Sequence, residues 1–191
     1  MPIAIRAVTA AALLALQVTK AGEALGQEGA PPAKWSILAG YADGKVIDSQ
    51  RTATDFTMLV IRWSRPLGGS ADRFGAVSLM IETIPFLAID QQPRAYGAGF
   101  NLLLRLALGK GIWQPALVGG IGMLVATDEV PPGESKFNWM PQVGVALRRR
   151  LDEQFSLSLE YRFHHISNGG LTQSNPGINT HLFLLGVSWL P

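Results

Sequence analysis

The stretch from Phe155 to Ser167, FSLSLEYRFHHIS, alternates large apolar side chains with polar ones. Its odd positions start with Phe, Leu, Leu, Tyr and Phe, whereas even positions 156 to 162 carry Ser, Ser, Glu and Arg. Because successive side chains of a β-strand point to opposite faces, this pattern predicts a strand with one apolar and one polar face. Its length exceeds the about 5–6 residues typical of soluble sheets and suits a tilted membrane-crossing strand of about 9–11 residues.

Eight stretches of this kind follow one another along the chain. Clusters of Gly, Pro, Asp, Asn or Ser separate them, as expected of turns. The sequence therefore predicts an all-β chain of eight antiparallel strands. These are Trp35 to Ala42, Asp55 to Ser64, Val77 to Ile84, Tyr96 to Leu106, Trp113 to Thr127, Phe137 to Arg148, Phe155 to Ser167 and Asn179 to Trp189.

The composition supports a strand-rich single domain and excludes several function classes. The 191 residues include 21 Gly and 12 Pro, too many for a helical bundle of this size. The absence of cysteine excludes disulfide scaffolds, thiol enzymes and zinc–cysteine sites. Sixteen Lys and Arg against 14 Asp and Glu leave no strongly basic surface, so nucleic acid is not an expected partner.

The N-terminus has the pattern of a secretory signal peptide. Arg6 precedes an uncharged run from Ala7 to Thr19, which is shorter than the about 20 residues of a membrane-spanning helix. Small residues at Ala24 and Gly26 suit cleavage. We expect residues 1–26 to be a signal peptide and residues 27–191 to form one barrel domain. A cytosolic amphipathic helix is the alternative for the N-terminus.

Two kinds of barrel fit the alternation. A soluble ligand-binding barrel would hold its apolar side chains inside, whereas an outer-membrane barrel turns them toward lipid and encloses polar ones. In the second case the interior holds Glu82, Arg105, Glu160 and Arg162. The signal peptide, the strand lengths and aromatic residues near strand ends favour the second. The prediction is an eight-stranded antiparallel transmembrane β-barrel of the bacterial outer membrane.

Chain direction sets the two ends of this barrel. With both termini on the periplasmic side, the segment from Arg149 to Gln154 is a periplasmic turn, and Asn168 to Ile178 is an extracellular loop. The three arginines at 148–150 indicate a solvated turn, with phosphate binding as the alternative.

Reactive side chains concentrate at the outer end of the seventh strand. His165 and Ser167 are two residues apart, so both leave the apolar face, with Cβ atoms about 6–7 Å apart. A His that takes the Ser proton makes the hydroxyl nucleophilic, and Asn168, Gly170 and Asn175 can supply donors to an oxyanion. A polar pair on the lipid-facing rim suits attack on an ester that stays in its membrane. A polar loop stem without catalytic function is the alternative.

The other histidines are weaker candidates. His164 faces the interior and is expected to be hydrogen-bonded there. A metal site with His165 and His181 would require the loop to fold over residues on different faces. No metal and no cofactor is expected.

The residues from His165 to Asn168, the Gly-rich loop and the Asn-Pro-Gly at 175–177 resemble the PagL family of lipid A 3-O-deacylases. The resemblance covers about Tyr161 to Trp189. It implies an outer-membrane esterase that removes the 3-O-linked acyl chain of lipid A, the membrane anchor of lipopolysaccharide, in the outer leaflet. A Ser-His-acid triad would act there without a metal, and a homodimer is compatible with the family.

The resemblance also assigns roles. His165 is the general base, Ser167 is the nucleophile, and the residues that orient the site or stabilise the oxyanion are Asn168, Gly170 and Asn175. The family's acidic residue lies twelve positions after the serine, where this chain has Asn179. An amide oxygen can fix the imidazole tautomer but brings no charge to stabilise the imidazolium. A weak or inactive structural or lipid-binding barrel is therefore the alternative to an active esterase.

Overall fold

The computed structural model describes residues 32–46, 54–68, 76–171 and 177–190. The predicted signal peptide and Asn175 lie outside these ranges. The described residues form nine strand segments in one sheet. They are β1 (Lys34–Val46), β2 (Asp55–Gly68), β3 (Val77–Asp90), β4 (Ala95–Ala107), β5 (Trp113–Ala126), β6 (Phe137–Trp139), β7 (Gln142–Arg150), β8 (Phe155–Ile166) and β9 (Ile178–Trp189).

The sheet closes into a barrel of eight antiparallel strands, as the sequence predicted. The sheet order runs from β4 through β3, β2, β1, β9, β8 and β7 to β5, and β4 also pairs with β5. β6 and β7 pair with β5 in one register, and between them Met140 exchanges two backbone hydrogen bonds with Gly122. They are therefore two parts of one barrel strand, interrupted where Pro141 has no N–H to donate.

Three strands run further than the alternation predicted. β1 continues past Ala42 to Val46. β2 continues past Ser64 to Gly68, and β3 continues past Ile84 to Asp90. The register between β3 and β4 shifts between Ile84 and Leu87, which marks a β-bulge or irregularity. Such an extra residue resets the alternation of faces, so a strict period of two stops at this point although the strand continues.

Large apolar side chains cover the outside of the barrel. On β8 and β9 the exposed ones are Phe155, Leu157, Leu159, Phe163, Phe183, Leu185 and Val187. Water-soluble monomers rarely expose an apolar surface of this extent, so the outward face of this barrel is a lipid-facing one. In the part of the chain that the structure describes, no helix has the length and apolar character needed to cross a membrane.

Four charged side chains fill the middle of the barrel. Arg62 donates from Nε to Glu82 Oε1 at 2.7 Å and from Nη1 to Glu160 Oε1 at 2.6 Å. Arg162 Nη2 donates to the same two carboxylates at 2.8 and 2.5 Å. Two positive and two negative charges balance in this buried network, which is called the ion-pair network from here on. The predicted interior positions of Glu82, Glu160 and Arg162 are confirmed.

The three arginines at 148–150 do not form a turn, so that prediction was wrong. They are the last residues of β7, where Arg149 pairs with Leu157 and Arg150 with Ser156 of β8. The turn is limited to residues 151–154. Arg148 is half-buried at the barrel mouth and donates to Gln114, whereas Arg149 lies outside over the Trp113 ring.

Replacing Leu185 by Arg should lower the unfolding free energy of the bilayer-embedded barrel by about 2–4 kcal/mol. Leu185 lies in the middle of β9 and is 63% exposed, so the substitution places a charge at the bilayer centre. Urea titration in phospholipid vesicles, followed by tryptophan fluorescence, measures the effect. The control is Leu151→Arg, because Leu151 is similarly exposed but lies in the 151–154 turn. Equal midpoints for both variants would contradict a lipid-facing surface at Leu185.

Candidate active site

Hydrogen bonds from the strand before β8 hold the backbone of the candidate site. The His165 N–H donates to the Pro141 carbonyl at 3.0 Å. Ser167, just past the end of β8, exchanges two backbone hydrogen bonds with Trp139, of 3.1 and 2.7 Å. The Pro141 carbonyl therefore fixes the backbone of His165, and the backbone N–H and carbonyl of Trp139 fix the backbone of Ser167.

His165 and Ser167 lie on the lipid-facing side. Both are half-buried, and they alternate with Ile166 and Asn168, which are buried. They continue the odd-numbered row that carries Phe155 to Phe163 lower on the strand. The two side chains therefore leave the outer face at the rim, which is the face that the alternation predicted.

Asn179 contacts the imidazole of His165. The two residues are directly opposite across the β8–β9 ladder, and His165 Nδ1 lies 2.8 Å from Asn179 Oδ1. An amide oxygen only accepts hydrogen bonds, so the proton is on Nδ1 and the lone pair is on Nε2. The structure thus brings together His165 and Asn179 in the geometry that leaves Nε2 free to take a proton.

Gly177 packs against the same imidazole, a contact that the sequence does not predict. Its φ of +67° lies in the left-handed region, and a Cβ there would lie 2.7 Å from His165 Cε1 and 3.2 Å from Nε2. Only glycine therefore fits this position without displacing the ring. A Pro-Gly pair before a strand signals a turn, but it does not reveal which side chain the turn contacts.

The loop after Ser167 is ordered by Asn168. Asn168 is buried, and its Oδ1 accepts the Gly170 N–H at 2.8 Å. Gly169 and Gly170 both have φ in the left-handed region, at +66° and +83°. This hydrogen bond engages the Gly170 N–H, so in this conformation Asn168 and Gly170 shape the loop.

The remaining histidines lie on opposite faces of the barrel wall. His164 is buried inside, as predicted, but neither ring nitrogen has a hydrogen-bond partner among the described residues, which therefore do not form the predicted interior hydrogen bond. His181 is exposed outside, and its Nδ1 lies 2.9 Å from the Tyr161 hydroxyl. This Tyr161–His181 pair next to the site was not predicted, because cross-strand register is not readable from sequence. Among the described residues, no group of three His, Cys, Asp or Glu side chains could hold a metal ion.

A comparison with protein families identifies the chain. Residues 52–188 match the family model described as lipid A 3-O-deacylase (PagL). The chain belongs to the PagL family. Among curated proteins, none matches the sequence of this PagL-family chain.

Solved structures show the same fold. The crystal structure of the outer membrane enzyme PagL has a TM-score of 0.66 and 16% identity, covering 82% of this chain and 99% of that one. Neisserial surface protein A has a TM-score of 0.60 and 13% identity, covering 86% and 100%. Ail of Yersinia pestis has a TM-score of 0.51 and 11% identity, covering 83% and 99%. This PagL-family protein is thus a barrel of the bacterial outer membrane.

The orientation of the PagL-family barrel follows from its turns. Outer-membrane barrels have short turns at the periplasm and longer loops outside. The 108–112 and 151–154 turns lie at the end of the barrel that carries Lys34 of β1 and Trp189 of β9, which is called the periplasmic end from here on. The opposite end has the short 91–94 turn but also the two longer connections, 127–136 and 167–177. His165, Ser167 and Asn179 lie at the opposite end, at the level of the outer leaflet.

Proposed function

We propose that this PagL-family barrel is a serine esterase that hydrolyses the 3-O-linked acyl chain of lipid A in the outer leaflet. The observation that carries the proposal is the 2.8 Å contact between His165 Nδ1 and Asn179 Oδ1 on the lipid-facing rim, beside Ser167. A polar pair with one proton acceptor left open has no evident purpose against lipid acyl chains. It suits a reaction with an ester at that depth.

The reaction needs two steps at Ser167. The hydroxyl gives its proton to His165 Nε2 while its oxygen attacks the ester carbonyl. The tetrahedral intermediate then expels the sugar oxygen, which takes the proton from the imidazolium, and the acyl group stays on Ser167. Water, deprotonated by His165, attacks this acyl ester and releases the fatty acid with the serine restored. No metal or cofactor takes part.

Asn179 and the loop support these steps differently. Asn179 holds the imidazole in the required tautomer but adds no negative charge beside the imidazolium. Asn168 and Gly170 order the loop, and Asn175 supplies a donor to the oxyanion. The ester reaches the site sideways within the outer leaflet, because the serine and the histidine face the lipid.

A homodimer of this barrel stays a prediction.

Release of fatty acid from purified lipid A tests the proposed function. The folded barrel in mixed micelles should release one acyl chain per lipid A, measured by mass spectrometry, and Ser167→Ala should release none. The control is Ser158→Ala, because Ser158 is buried inside β8, where its hydroxyl lies 3.5 Å from the Gly186 carbonyl. Equal release by the native chain and Ser167→Ala would exclude this nucleophile. No release by a folded native chain would favour an inactive structural barrel.

Gly177→Ala should reduce deacylation by about 10²-fold or more while the barrel still folds. The added methyl group would meet His165 Cε1 at 2.7 Å and displace the imidazole, and such a misplacement can lower a rate by about 10²-fold. The initial rate of fatty acid release measures the effect.

Gly133→Ala separates displacement of the ring from backbone strain. Gly133 also has a left-handed φ, of +89°, but is itself exposed, in the 127–136 loop away from His165. Similar losses in both variants would contradict a specific contact between Gly177 and His165.

A further inference from the structure

A cavity opens at the periplasmic end of the barrel interior, far from the candidate active site. Its volume is about 460 Å³. Four basic side chains line this cavity, namely Lys34, Arg105, Lys110 and Arg148. Among the described residues around it there is no Asp or Glu. Clustered positive charge in a concave site attracts anions and raises their local concentration.

Arg105 is the buried cation of this cavity. Arg105 is only 9% exposed, and its buried Nη2 nitrogen has no hydrogen-bond partner in the part of the chain that the structure describes. Nearly all buried polar groups in proteins have a partner, since leaving one unpaired costs free energy. The unpaired guanidinium nitrogen therefore marks a place where an acceptor from outside the chain fits.

The ion-pair network does not supply this acceptor. Glu160 accepts hydrogen bonds from Arg62 and Arg162. Glu82 accepts from the same two arginines and from Asn101. Each carboxylate is thus engaged by other donors, and the two arginines of the network already balance the two glutamates. Arg105 adds a positive charge that the network does not neutralise.

Among the described residues at this end, the acidic side chains line neighbouring cavities and not this one. Arg148 donates to the neutral side chain of Gln114. The acidic residues Asp152 and Glu153 lie in the exposed 151–154 turn and line two neighbouring cavities, one of which also includes Arg148. Asp152 Oδ1 already accepts two backbone N–H groups of its own turn.

We propose that the cavity lined by Lys34, Arg105 and Arg148 binds a phosphate group at the periplasmic face. Guanidinium groups match phosphate oxygens with paired, charge-assisted hydrogen bonds. The ion-pair network fills the lumen above, so the ligand enters from the periplasmic mouth and is small. Inorganic pyrophosphate and the phosphate of a lipid headgroup share this chemistry.

Calorimetric titration of the folded barrel with inorganic pyrophosphate in neutral detergent tests the site. The native chain should show one saturable site, and Arg105→Gln should weaken it by about tenfold or more. The control is Arg149→Gln, which removes the same charge from the outer surface over Trp113 and should leave the affinity within about twofold. No saturable binding, or equal weakening by both variants, would overturn the proposal.

Two additions complete this experiment. If Arg105→Gln fails to give the folded band on an unheated gel, Arg148→Gln replaces it, because Arg148 is only half-buried at the mouth. A short-chain phosphatidylglycerol added before pyrophosphate separates the two sources. Competition identifies a lipid headgroup as a ligand, and unchanged pyrophosphate binding identifies a soluble phosphate.

Discussion

Asn179→Asp should raise the rate of lipid A deacylation by roughly two to four orders of magnitude. The upper limit follows from serine proteases, where the reverse change from Asp to Asn lowers turnover by about 10⁴. Aspartate has the shape of asparagine, so the 2.8 Å contact with His165 Nδ1 is retained. The carboxylate adds the negative charge that stabilises the imidazolium formed when Ser167 loses its proton.

Two further variants show whether the gain acts through His165. Asn179→Leu removes the acceptor and should bring the rate below that of the native chain. His165→Ala added to Asn179→Asp should remove the gain completely. The measurement is kcat/KM for fatty acid release by the folded barrels. A rate that is the same with Asn, Asp and Leu at position 179 would contradict a third triad position there.

Arg162→Met should destabilise the barrel by about 3–5 kcal/mol, the range for removing one partner of a buried ion pair. Arg162 is 1% exposed and donates to Glu82, Glu160 and Gln142 at 2.5 to 3.0 Å. Without it, the single charge of Arg62 faces two buried carboxylates. The midpoint of unfolding by urea in vesicles measures the loss.

A second substitution separates charge from packing in this network. Glu82→Gln combined with Arg162→Met restores neutrality and should recover part of the lost stability. The exposed pair of Arg94 and Asp90, 3.2 Å apart, provides the control, since Arg94→Met should change stability only slightly. A loss of similar size for Arg94→Met and Arg162→Met would contradict a structural role for the buried network.

The alternation of side chains was sufficient to predict a barrel and its strand number. The choice of the lipid-facing side also needed the strand lengths, the aromatic residues near strand ends and the signal-peptide pattern. In β8 every odd residue from 155 to 163 is apolar, and the closed sheet turns that row outward. The pattern failed at bulges, since β3 continues past Ile84 where the alternation is reset. It also failed at Arg149 and Arg150, because long charged side chains occur equally at strand ends and in turns.

The candidate site was predictable where it depends on neighbouring residues in one strand. His165 and Ser167 share a face because they are two residues apart. The positions of other groups depend on register between strands, as in the pairing of Tyr161 with Phe183, which brings His181 near the tyrosine hydroxyl. The contact of Gly177 with His165 depends on a left-handed backbone conformation that the sequence permits but does not specify.

The mass of lipid A from the outer membranes of cells that express this chain tests the central claim most directly. The native chain should lower that mass by one 3-O-linked hydroxyacyl group, whereas cells with Ser167→Ala should keep the full mass. Both barrels must be present in folded form, as shown by the mobility of unheated samples on gels. Unchanged lipid A in cells with the folded native chain would contradict the proposed deacylase.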